Sequence, residues 1–137
     1  MSLEENKAII RRYVEEMNNR NAAYLDQHFT SQYVYHGPSA DLDKDAFIEF
    51  HNAMLATFPD ARMTVLDQVA EGDKVTTRWE LQGTHRGEAL GIAPTGRRVA
   101  ITGIIISRFE GGKVAEEWEE SDMLGLMEQI ATVPTPA

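Results

Sequence analysis

The sequence predicts an α+β fold, with helices first and antiparallel strands after them. Two observations carry this. Before residue 60 the apolar residues recur at helical spacing, and from Met63 onward the period changes to two. The later segments are joined by Gly72-Asp73 and Gly111-Gly112, pairs suited to tight hairpin turns. This order places the helices on one face of an antiparallel sheet.

Ser2 is an N-cap candidate, and Glu5 stands at capping-box spacing from it. Ile9, Ile10, Tyr13, Val14 and Met17 then form one apolar stripe, and Asn18 to Asn21 break the helix. A short second helix carries Tyr24, Leu25, His28 and Phe29 on one side. Residues 32–36 are β-prone, and Gly37-Pro38-Ser39 stops them. A third helix starts near Asp43. Phe47, Phe50, His51, Met54, Leu55 and Phe58 line its apolar face, and Pro59-Asp60 ends it. Residues 62–71 and 74–86 read as a strand pair, in which Asp67 faces Arg78. Residues 87–96 form a Gly- and Pro-containing loop, residues 97–110 and 113–122 form a second strand pair, and Leu124 to Ile130 close as a helix. The predicted domain spans 1–132, with a linker-like tail at 133–137.

With 137 residues the chain is long enough to bury a core without staples. It has no cysteine, which excludes disulfides, thiolate metal sites and a cysteine nucleophile. Lys and Arg total 13 against 22 Asp and Glu, a net charge of −9. That balance argues against nucleic acid and against anionic membranes as partners. The N-terminus lacks a basic stretch followed by an apolar one, so a cytoplasmic protein is expected. Gly103-Ile104-Ile105-Ile106 is apolar on both strand faces, and this predicts a homodimer through the sheet face turned away from the helices.

A two-residue turn at Gly111-Gly112 would set Glu110 opposite Lys113. Val114, Glu116, Trp118, Glu120 and Asp122 then share the helix-facing side with Ile101, Gly103, Ile105, Ser107 and Phe109. Glu120 and Asp122 would point inward about 7 Å apart, over a glycine that leaves space. An inward carboxylate in an apolar pocket is suited to proton abstraction from carbon, because desolvation raises its pKa. Two alternatives stand beside this: both acids are solvated at the sheet rim, or a one-residue bulge reverses the inward assignment. Phe47, Phe50, Ile105, Trp118 and Glu120 are the candidate substrate-binding residues. His51 and His36 are candidate helpers of the base, with a core histidine and a surface loop as their respective alternatives. His85 has a structural turn role as its alternative. The histidines lack metal-ligand spacing, so no metal is expected.

Five segments occur in order: Phe58-Pro59-Asp60, Glu71-Gly72-Asp73-Lys74-Val75, Gly83-Thr84-His85-Arg86-Gly87, Pro94-Thr95-Gly96-Arg97, and Gly112-Lys113-Val114 continuing to Glu116, Trp118 and Asp122. Together, over about residues 5–131, they resemble the SnoaL-like polyketide cyclase (ester cyclase) family of the nuclear transport factor 2-like superfamily. The resemblance implies a conical α+β barrel: a curved, mainly antiparallel sheet around an apolar cavity capped by helices. It implies cofactor-independent ring closure of a small polyketide-like carbonyl compound by intramolecular aldol condensation, with Asp122 as general base. A hydrolase or hydratase on the same scaffold, and a non-catalytic small-molecule binder, are the alternatives.

Overall fold

The computed structural model describes residues 2–131. The expected tail at 133–137 lies outside the described residues. Helix α1 spans Leu3–Asn18 and opens on the expected capping box. The Ser2 hydroxyl accepts from the Glu5 amide at 3.0 Å, and the Glu5 carboxylate accepts from the Ser2 amide at 3.2 Å. After it Arg20 adopts a left-handed φ of 60°. Its guanidinium donates to the carbonyls of Met17, Pro59 and Ala61, which ties the α1 corner to the end of the third helix.

Helix α2, Ala22–His28, runs without a break into strand β1, Phe29–His36. Phe29 therefore belongs to the strand and not to the helix expected to carry it. A three-residue strand β2, Asp41–Asp43, leads into α3, Lys44–Thr57, whose N-cap Asp43 accepts from the Ala46 amide at 2.9 Å. Strands β3 (Arg62–Glu71), β4 (Lys74–Thr84), β5 (Arg98–Glu110) and β6 (Lys113–Ser121) follow. Helix α4, Met123–Ile130, closes the order. The sheet order is β2-β1-β6-β5-β4-β3. It is mixed: β1 runs parallel to β6, and every other neighbouring pair is antiparallel. It is also open, with β2 and β3 as its edges.

The inner face of the sheet meets the helices in two clusters. One gathers Ile10, Leu25, Phe29, Tyr33, Phe47 and Val75. The other gathers Met17, Phe58, Trp79, Leu81, Ile101 and Leu126. Ile105 packs against both. His85 is fully buried and fixes the loop after β4: its Nδ1 accepts from the Thr95 amide at 3.3 Å, and its backbone bonds Arg97 and Gly96. On the outer face Asp67 and Arg78 pair as expected, at 3.0 Å.

The last hairpin corrects one expectation. Gly111 and Gly112 have φ of 57° and 81°, as a two-residue turn of the hairpin type requires. Glu110 faces Lys113, and Phe109 faces Val114. Ala115 is then an extra residue, and the pairing resumes with Arg108 opposite Glu116, Ser107 opposite Glu117 and Gly103 opposite Ser121. The cause is a β-bulge in which Val114 and Ala115 are both buried. Beyond it every side chain changes face. Glu117, Glu119 and Ser121 look inward, whereas Glu116, Trp118 and Glu120 look outward.

Candidate active site

The bulge places two carboxylates on the floor of the inner face, two residues apart on β6. Glu117 is only 5% exposed. Its Oε1 accepts from the Tyr33 hydroxyl at 2.6 Å, and its Oε2 accepts from the Ser107 hydroxyl at 2.5 Å. Glu119 is half-buried, and its Oε1 accepts from the Tyr35 hydroxyl at 2.5 Å. The alternation of β1 brings Tyr33 and Tyr35 to the same side, and parallel pairing with β6 sets them against these acids.

Burial pushes Glu117 up to about 7, and the charge of Glu119 pushes the same way against the Ser107 and Tyr33 hydrogen bonds. Burial also pushes Glu119 up to about 7, while the Tyr35 hydroxyl and the Trp79 indole N–H pull it down. Burial and the two carboxylates together hold Tyr13, Tyr33 and Tyr35 protonated. The result is a water-poor centre containing two acids that exchange protons near neutral pH and several neutral donors. Such a centre can accept a proton from carbon and return it.

The expected site residues divide between places. Phe47 and Ile105 lie on the inner side, Phe47 buried among Phe29, Tyr33 and Tyr35. Phe50 is 51% exposed, and its ring lies 6.2 Å from that of Tyr35. His51 is buried on α3, and burial pushes its pKa down, with Arg20 adding to the shift, so it is neutral. It lines a cavity of about 30 Å³ with Tyr13, Met17, Asn52 and Leu55, room for about one water.

The other expected residues are elsewhere. Trp118 and Glu120 are on the outer face because of the bulge. His36 is there too, with its ring stacked on Trp118 at 5.5 Å. Its Nε2 lies 2.7 Å from Glu116 and its Nδ1 3.0 Å from Asp41. Asp122 follows β6 as the N-cap of α4, exposed, and its Oδ1 accepts from the Gly125 amide at 2.8 Å. Sequence reasoning missed Glu117, Glu119, Ser107 and the tyrosine pair of β1. One signal was available: Val114-Ala115, two adjacent apolar residues that interrupt a period of two.

Among the described residues no group of three or more His, Asp or Glu side chains is arranged to hold a metal ion. None of their helices is long and apolar enough to cross a membrane.

The family model of the SnoaL-like polyketide cyclases matches residues 7–130. Among curated proteins none matches the chain. Solved structures of similar fold include AclR from Streptomyces galilaeus, 28% identical, with a TM-score of 0.89 over 97% of this chain and 100% of that one. TsrD from Streptomyces laurentii is 27% identical, with a TM-score of 0.85 over 95% and 97% of the two chains. IdmH from Streptomyces antibioticus is 28% identical, with a TM-score of 0.83 over 93% and 99%. The fold is the nuclear transport factor 2-like cone expected from the resemblance, here with an open six-stranded sheet. With the match running through nearly the whole chain, from α1 to the end of α4, the protein belongs to the SnoaL-like polyketide cyclase family.

Proposed function

We propose that the protein is a cofactor-independent enzyme of carbon-acid chemistry, closing a ring in a small polyketide-like carbonyl compound, with Glu119 as general base. One observation carries this reading: an inward carboxylate with a pKa of about 7, bonded by a tyrosine hydroxyl, on the face that the helices cover. Burial raises the pKa of such a carboxylate toward neutrality, so it can both take and return a proton. Glu117, deeper and bonded at both oxygens, keeps Glu119 company as a second proton store. IdmH, a candidate polyketide cyclase of the same fold, supports the reaction class.

Asp122 is the rival base, since the family resemblance marks its position. It is exposed and its carboxylate is engaged in capping α4 through the Gly125 amide, so the geometry favours Glu119. Substrate entry displaces side chains, and Met54, Met63 and Met123 around the second cluster are adaptable enough to yield. The water-sized cavity beside His51 favours a second reading, addition or removal of water on the same scaffold. The outer face, with Ile104 49% exposed beside Ile106, supports a homodimer, and the expected setting is the cytoplasm.

The test is α-proton exchange of an aromatic β-keto ester into D2O. The wild type should accelerate exchange, and Glu119→Gln should lose at least ~100-fold. Asp122→Asn should lose far less. Full exchange by Glu119→Gln with none by Asp122→Asn would move the base to Asp122.

A further inference from the structure

We propose that the indole Nε1–H of Trp79 holds the carbonyl oxygen of the substrate beside Glu119, making this an oxygen-acceptor subsite for an uncharged enolisable ketone. The inference rests on the reading of Glu119 as base. Trp79 is 7% exposed, and its Nε1 is buried without a hydrogen-bond partner. An orphaned buried donor is costly and rare in a folded protein. The hydroxyls on the same wall are already committed: Tyr33 and Ser107 to Glu117, Tyr35 to Glu119. The other unpartnered buried atoms belong to Asn6, His28, Thr30 and His85, none of which acts on the acidity of either carboxylate as Trp79 does.

The direction of the N–H is fixed by Gly103. In the sheet Trp79 pairs with Gly103, and Gly103 pairs with Ser121 of β6. The indole lies across that glycine: a Cβ there would meet Cζ2 at 2.3 Å and Cε2, the carbon bonded to Nε1, at 2.6 Å. The ring therefore reaches over β5 toward the strand that carries Glu119. It comes close enough to draw the pKa of that carboxylate down, yet no bond to it is completed. A donor and an acceptor this near, with no completed bond between them, suit a ligand oxygen and proton that serve both.

A ketone does so. Its oxygen accepts from Trp79 while its α-carbon faces Glu119. As the C–H bond breaks, an O–H bond forms on Glu119. The electron pair of the C–H bond becomes the new C=C bond, and the carbonyl π pair moves to oxygen. The enolate charge then sits on the atom that Trp79 binds, and the total charge of the site is unchanged. Among the described residues the inner face of the sheet presents no lysine or arginine, so a carboxylate or phosphate at this point would meet only acids.

The probe is phenol, whose hydroxyl oxygen accepts as an enol would and whose proton can go to Glu119. The chain has two tryptophans, so ¹⁵N-labelled indole gives two N–H signals. On titration with phenol the Trp79 signal should move downfield while that of Trp118 stays. Trp79→Phe, which keeps a ring over Gly103 and removes the donor, should bind phenol about 10-fold more weakly. If Trp79→Phe does not fold, Trp118→Phe leaves the Trp79 signal alone, and its shift decides. An unmoved Trp79 signal, or equal affinity in folded Trp79→Phe, overturns the proposal. The role of Glu119 is judged separately by the exchange assay, so Trp79 can fail while the base stands.

Discussion

Glu116 and Glu117 are adjacent on β6, yet their acid strengths are driven in opposite directions. The His36 ring and, more weakly, Arg108 hold Glu116 below the usual carboxylate range. Burial carries Glu117 up to about 7. Glu119 repeats Glu117 on the inside, and Glu120 lies exposed on the outside. Residue type is constant in this comparison, so the face decides the chemistry. The face in turn is decided by the β-bulge at Val114 and Ala115, which comes before all of them.

The most severe way to break the contrast is to put a permanent charge on the inner face. Glu117→Arg forces a larger group that cannot be neutralised into a position only 5% exposed. Burying such a charge costs several kcal/mol, a large share of the stability of a typical domain. Loss of the cooperative thermal transition is expected, whereas Glu116→Arg, one residue away on the outer face, should still fold. A folded Glu117→Arg variant, or equal damage from both, would show that the face does not decide the outcome.

The next effect is in pH. For the inner pair the folded pKa, about 7, lies above the ordinary glutamate value of 4.5. The unfolded chain therefore releases these protons first, and stability falls as pH rises from about 4.5 to 7, then levels off. The loss is on the order of 3 kcal/mol for one carboxylate. Glu117→Gln should flatten this slope and be at least as stable as the wild type at pH 8, as read by denaturant melts across the range. An unchanged slope would mean that Glu117 is not the strained acid.

The outer face can be tested by charge. Ile106→Glu, opposite Trp118 in the sheet, should convert the proposed dimer to monomer or aggregate in light scattering. A wild type that is already monomeric at micromolar concentration refutes that assembly. The smallest effect belongs to His36. Its two carboxylate partners raise its pKa, so its contribution is present below the ordinary histidine value and lost as pH rises through the raised one. His36→Ala should destabilise modestly at acidic to neutral pH and converge with the wild type at alkaline pH. A constant difference across that range would assign the loss to the ring packed on Trp118, not to charge.

Much of the fold was legible because it is written locally. Ser2 and Glu5, Asp43, and the two glycine-containing turns each act on their near neighbours. The inner carboxylates were not, for two reasons. Trp118 is a large apolar group, and period two drew it inward. In the structure its ring is covered instead by His36, a partner from the far end of the sequence. The bulge, too, involves an alanine that no turn or cap residue announces. The short β2 and the parallel pairing of β1 with β6 escaped for the same cause, since neither leaves a local pattern.

That parallel pairing has a consequence for how the chain is made. Strands β3, β4 and β5 can each pair with a neighbour soon after synthesis. Strand β1 cannot: Tyr33 meets Glu117, 84 residues later, and until then has only the three-residue β2 beside it. The nascent protein must carry an unpaired aromatic strand through most of its translation, and contacts this distant in sequence close slowly. The acidic centre, whose walls come from both strands, is therefore among the last parts to assemble. A ribosome-bound chain released before residue 113 would present Phe29, Tyr33 and Tyr35 to chaperones.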